Sequence, residues 1–261
     1  MNRIISTKKY ISLVDTLARM RMKSQANKLA LSYLWWILEP LIFVALFYVL
    51  FSYVLHRGGD NYFSFMIVGK IVYLWFQKSV VTASTSLVAN KGILAQRAIP
   101  KWVFPTSSVQ ECFYKSLISF LLLFIVLWFN GYIPTLYWIQ IFPLILVSYY
   151  FIIGVSLIAT ILVSMARDFS NLINIGMLGL MFASGIFWDI NSIQDETIRT
   201  AILNFNPLAS IIYLYRQALL YNQVVDINLL INIFSYSTLF FVVGIVSLKR
   251  WNNQITRLIF P

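Results

Sequence analysis

The stretch PLILVSYYFIIGVSLIATILVSMA, residues 143–166, runs without a single charged side chain, and its length decides the fold. An α-helix rises 1.5 Å per residue, so about 20 apolar residues cross the ~30 Å hydrocarbon core of a bilayer. Comparable runs fall near 34–55, 63–88, 107–129, 170–188 and 227–248. They are continuous, whereas a membrane barrel would show alternating segments of about 10 residues. The expected fold is all-α: one transmembrane domain over 1–261 with six transmembrane helices per chain.

Composition agrees. Hydrophobic residues make up 60% of the chain and charged residues 11%, against roughly 45–50% and 25% in soluble domains. The net charge of +11 sits at the two ends and in short loops, with no nucleic-acid motif, so it speaks for membrane lipid headgroups and topology rather than nucleic acid. Cys112 is the only cysteine and His56 the only histidine. No disulfide framework, metal site or catalytic base can be assembled from them.

Basic residues also set the orientation. With both termini cytoplasmic, fourteen of the twenty Lys/Arg lie inside and only Arg57, Arg199 and Arg216 lie outside, as the positive-inside rule requires. The first roughly 30 residues carry seven Lys/Arg and lack the apolar core and cleavage site of a signal peptide. The first span is therefore expected to remain as an anchor.

Two flanking segments stand out. Residues 1–33 place Tyr10, Ile11, Val14, Leu17 and Met20 at helical spacing among basic residues, the pattern of an amphipathic helix in the cytoplasmic interface rather than a solvated leader. Arg19, Arg21 and Lys23 lie close to the first span and are candidate lipid-phosphate contacts. Between the fifth and sixth spans, the external segment 189–226 contains PLASIIYLYRQALLYN (207–222), too short to cross comfortably and led by a proline suited to a first helical turn. Short re-entrant external helices are expected there, the alternative being a helix flat on the outer surface. Asn206, Pro207 and Arg216 are candidate external-gate residues.

Charges inside spans are costly, at least about 2.5–3.5 kcal/mol each at a span centre, so Lys70, Lys78, Glu111 and Lys115 need partners or water. Glu111 and Lys115 have the favourable i,i+4 order of a helical ion pair, and Lys70 can snorkel toward headgroups. Aromatic residues recur along one side of the first span, at Trp36, Phe43, Phe47 and Phe51, and again at Phe182, Phe187 and Trp188 near the outer end of the fifth. Ring faces suit the apolar face of a sliding sugar, and they equally suit lipid or neighbouring helices.

The segments LVDTLARMRMKSQANKLALSYLWWILEPL (13–41), YFSFMIVG (62–69), SLVANKGILAQRAIPKWVFP (86–105), ARDFSNL (166–172) and NPLASIIYLYRQALL (206–220) occur in an order that resembles the permease subunit of bacterial ABC-type exporters of O-antigen, capsule or teichoic acid. Ser32 in LSYLWW and Gly185 in ASGIFW depart from the family's usual Gly and Pro, and the second leaves the outer turn of the fifth helix open. The resemblance implies a homodimer in the inner membrane with a central conduit for undecaprenyl-type lipid-linked polysaccharide, bordered by the first and fifth helices. It also implies two ATPase subunits, since no GxxxxGK[ST] loop is present in this chain. ATP and Mg would be bound by that partner, leaving no cofactor and no catalytic residue here. The segment 90–105 resembles the family's cytoplasmic coupling helix, which makes Asn90, Leu94, Arg97, Pro100 and Phe104 the candidate ATPase contacts. Competing expectations are an ABC exporter of a drug or lipid, and an integral membrane enzyme acting on lipid-linked sugars.

Overall fold

The structure is a computed structural model that describes residues 2–26, 32–50, 53, 61–97 and 99–259. Phe51 and His56 therefore lie outside the described residues. In chain order the helices are α1 (Asn2–Ala26), α2 (Ser32–Val49), α3 (Tyr62–Ser84), α4 (Ser86–Ala89), α5 (Lys91–Gln96), α6 (Val103–Phe129), α7 (Ile141–Met165), α8 (Phe169–Ala183), α9 (Glu196–Phe205), α10 (Pro207–Leu219), α11 (Ile227–Arg250) and α12 (Asn252–Ile259). No strand occurs among the described residues.

Among the described residues, four helical segments are long and apolar enough to cross a membrane: Tyr62–Ser84, Val103–Phe129, Leu136–Met165 and Ile227–Arg250. The other two expected spans are shorter here. Helix α2 has 18 residues with Pro40 inside it, and α8 has 15, about 23 Å at the α-helical rise. The expected fifth span reached residue 188, but the helix ends at Ala183 because Gly185 adopts φ +71, a conformation that glycine reaches without steric cost.

Helix α3 is the centre of the bundle. It touches α2, α6, α7, α8 and α10, and most of its residues are buried. Helices α6, α7 and α11 instead turn large apolar side chains outward, among them Leu121, Phe129, Leu146 and Val246, a surface suited to lipid.

Helices α7 and α11 cross through small residues. A Cβ at Gly244 would come within 2.7 Å of Leu157 Cβ, and one at Gly154 within 2.9 Å of the Phe241 backbone nitrogen. Such contacts let two backbones approach where lipid provides no hydrophobic drive to hold them together.

The segment 90–105, expected as a coupling helix, is divided between two helices. Residues Lys91–Gln96 form α5, whereas Phe104 and Pro105 already belong to the first turn of α6. Pro105 is thus no helix breaker, since a first-turn amide needs no intrahelical acceptor. The sequence reading did not anticipate α12, whose Ile255 and Ile259 are buried against Leu87, Phe104, Leu157 and Leu248. Helix α1 packs along α6 through Val14 and Ala18, while Ile11 and Met20 remain exposed.

The close crossing has a measurable consequence. Gly244→Ala would favour an isolated helix by about 0.8–1.0 kcal/mol. Here it should instead lower the thermal midpoint of the detergent-purified protein, through an overpacking cost of ~1–3 kcal/mol. A midpoint at or above wild type would contradict this account of the crossing.

Candidate functional site

Helix α2 carries Phe43 and Phe47 one turn apart, and their rings stack at 4.4 Å between centroids. Phe187 joins them from the turn after α8, at 4.7 Å from Phe47 and 6.2 Å from Phe43. Phe182, in the last turn of α8, lies 5.3 Å from Phe187. Four of the seven aromatic residues singled out in the sequence thus form one cluster, bridging α2 and the outer end of α8. Phe187 is buried within it, while Phe182 is 51% exposed. Trp188 adjoins the cluster through its indole N–H, which donates to the Phe182 carbonyl at 2.9 Å. Trp36 does not join. It is seven residues before Phe43, about two helical turns deeper, and its ring faces the Lys115 ammonium at 5.6 Å.

Lys70 belongs to this cluster. Its ammonium sits 3.3 Å from the Phe43 ring centroid and 3.6 Å from Met181 Sδ, and the residue is 4% exposed. The expected snorkelling toward headgroups does not occur. A desolvated cation over a ring face gains about 2 kcal/mol or more, which offsets part of the cost of burying it and ties α3 to α2.

The outer turn is held by side chains from elsewhere in the chain. Where α8 stops, its last carbonyls lose their helical donors. Asn206 Nδ2 donates to the Ala183 carbonyl at 3.2 Å, Arg216 to Gly185 at 2.6 Å and Ile186 at 3.2 Å, and the Tyr62 hydroxyl to Phe187 at 2.9 Å. Asn206 also caps α10 by accepting from the Ala209 amide, and Pro207 occupies the first turn of that helix. Helix α10 is buried almost throughout, against α3, α7 and α11.

On the other side of Lys70 from that turn lies a layer of ion pairs. Lys78 bonds Glu39 of α2, and Lys115 bonds Glu111 at 2.5 Å. The sequence reading found the second pair and missed Glu39 as partner of the first. The available signal was a lone acid in one apolar run beside two bases in the next. Both lysines line a cavity of about 300 Å³ between α2, α3 and α6, together with Glu39, Trp35, Trp36 and Trp75.

Arg97 borders both a groove shared with Lys9, Tyr10 and Thr16 of α1 and a cleft shared with Leu94, Lys101 and Thr256. Pro100 lies in the same cleft, and Asn90 begins α5 and binds the Ser86 carbonyl. The Lys101 ammonium, its pKa lowered by burial, bonds the Asn252 carbonyl and Thr256 Oγ1 and so pins α12 to the segment between α5 and α6. The three cations expected to meet lipid phosphate have different surroundings. Arg19 pairs with Asp15 at 3.0 Å. Arg21 donates to Ser107 and Ser108 of α6. Lys23 is exposed. Asp15 also accepts from the Tyr114 hydroxyl, which together with Arg19 holds its carboxyl below the usual range.

Residues 13–220 match the sequence model of the family described as ABC-2 type transporter. Among curated relatives, an O-antigen export system permease protein RfbA of Klebsiella pneumoniae is 29% identical over 75% of each chain, and one of Myxococcus xanthus is 26% identical over 82% of each. A polysialic acid transport protein KpsM of Escherichia coli is 24% identical over 79% of this chain and 81% of its own.

The buried ion pair makes a prediction of its own. Lys115→Met would leave Glu111, 1% exposed, as an uncompensated buried carboxylate, a loss of about 3–5 kcal/mol. The double variant Glu111→Gln, Lys115→Met should regain most of the loss. Denaturation of both purified variants tests this, and a double variant as unstable as the single one would show that the carboxylate is not the cause.

Proposed function

We propose, since this chain belongs to the ABC-2 type transporter family, that it is the membrane-spanning permease subunit of an ABC exporter of lipid-linked polysaccharide, with O-antigen as the first candidate. The observation that carries the reading is the match to O-antigen export permeases over three quarters or more of both chains. Its counterpart in the fold is an aromatic cluster at the junction of α2 and α8, the two helices that the resemblance makes borders of a conduit.

The subunit works as a homodimer in the bacterial inner membrane, with both termini cytoplasmic and α2, α3, α6, α7, α8 and α11 as its six crossings. Helices α9 and α10 re-enter from the outer side. Energy comes from two copies of a separate ATPase that bind ATP and Mg and dock at Leu94, Arg97 and the neighbouring coupling segment. This chain contributes passage and no chemistry. A long polymer must keep moving, so repeated shallow ring contacts serve it better than one deep site, as conduction requires binding weak enough to release.

Two measurements test the reading. Deleting the gene should trap lipid-linked glycan inside the cell, and the intact gene should restore surface glycan. In the restored strain, Phe43→Leu and Phe47→Leu should lower surface glycan per folded permease nearly as far as the Ala variants do. A volume-conserving apolar swap in ordinary packing costs under about 1.5 kcal/mol, whereas Phe→Ala costs about 3–5. Full export by both Leu variants would leave the rings as packing. For coupling, Leu94→Asp with Arg97→Glu should abolish export while insertion persists; normal ATPase association and export in that variant would remove those residues from the docking site.

A further inference from the structure

Arg216 is 2% exposed, and no carboxylate lies within ion-pair distance of it among the described residues. Its charge is spread over backbone carbonyls instead. Nη1 donates to Gly185, Nη2 to Ile186 and to Phe65 at 3.1 Å, and Nε to Phe65 at 3.3 Å. The guanidinium also lies over the Phe65 ring, with Cζ 3.3 Å from the centroid. One planar fork thus joins three segments: α10, which bears it, the first turn of α3, and the turn after α8. Lysine, with a single ammonium, cannot reproduce that geometry.

The fork needs a seat. Gly69 is one helical turn beyond Phe65 on the same face of α3, and a Cβ there would come 2.7 Å from Arg216 Nη2. A side chain at position 69 and the guanidinium compete for the same space. Immediately after the two carbonyls that Arg216 holds in the turn comes Phe187, whose ring closes the aromatic cluster on Phe43 and Phe47.

We infer that Arg216, seated on Gly69, is the positioning residue for the outer turn and sets where the Phe187 ring stands on the glycan path. Packing alone would not require a buried cation at this place; holding two consecutive carbonyls of a broken helix end against another helix does. The inference rests on the polysaccharide-exporter reading and deepens it.

The test uses the whole transporter in cells lacking the native gene, with Arg216→Lys, Arg216→Ala, Gly69→Ala and the double variant Gly69→Ala, Arg216→Ala. Surface glycan is measured per folded permease and per ATP hydrolysed by purified complexes. Because hydrogen bonds to a charged group are worth enough to shift an equilibrium by about tenfold or more, Arg216→Lys and Gly69→Ala should each lower glycan exported per ATP by about that factor. Gly69→Ala keeps the charge but overpacks the seat of the guanidinium, so export is read per folded permease, which separates a misplaced turn from a failure to fold. The double variant should export no less than Arg216→Ala, since the new methyl group enters vacated space. Export per folded molecule at the wild-type level in Arg216→Lys or Gly69→Ala would overturn the inference, as would strictly additive losses in the double variant. If the wild-type gene itself restores no surface glycan, it is the exporter reading that fails.

Discussion

A backbone carbonyl that leaves its helix inside a membrane finds no water, so the protein itself must supply a donor. That requirement organises the outer half of this chain. Helix α8 breaks at Gly185, and the carbonyls of residues 183, 185, 186 and 187 are taken by Asn206, Arg216 and Tyr62. Those donors fix where α10 lies and which way the turn faces. They also explain why a cation is tolerated at full burial: a guanidinium offers five N–H donors on one rigid plane, more than a neutral side chain of similar size could bring to the same place.

The inner half solves a different problem with different chemistry. There the polar groups are true ion pairs, Glu39 with Lys78 and Glu111 with Lys115, while Lys70 between the two halves is sheathed by Phe43 and Met181. Glu111, Lys70 and Arg216, the buried charges, thus each have a local answer: an ammonium, a ring face or a set of carbonyls, while the Glu39–Lys78 pair is partly exposed. Helix α3 carries Lys70 and Lys78 and supplies the Phe65 carbonyl, which is why it is the most buried of the long helices.

Much of this was legible in the sequence, and the exceptions share a cause. The long spans were readable because uninterrupted apolar runs need no partner to be recognised. Glu111 with Lys115 was readable because both sit on one helix, four residues apart. Glu39 with Lys78 was not, because the pairing joins two helices 39 residues apart. The end of α8 was misplaced by five residues because Gly185, which leaves the helix at φ +71, is an ordinary residue of an apolar run until the donors from Arg216 and Tyr62 are seen. Helix α12 was missed although Ile255 and Ile259 carry the i,i+4 signal, since so short a segment gains its helix from the surface it covers. The aromatic spacing on α2 was correct, yet spacing alone could not separate Trp36, which meets Lys115, from Phe43 and Phe47, which meet Phe187.

The Lys101 contact with α12 closes a mechanical circuit. The segment between α5 and α6 is fastened to the tail of α11, and α11 is fastened to α7 where Gly154 and Gly244 allow backbone to touch backbone. Helix α7 in turn borders α10. A displacement applied at the loop between α5 and α6 therefore has a stiff path, made of close-packed helices, to the opposite end of the bundle. Slack anywhere along that path would let one end move while the other stayed still.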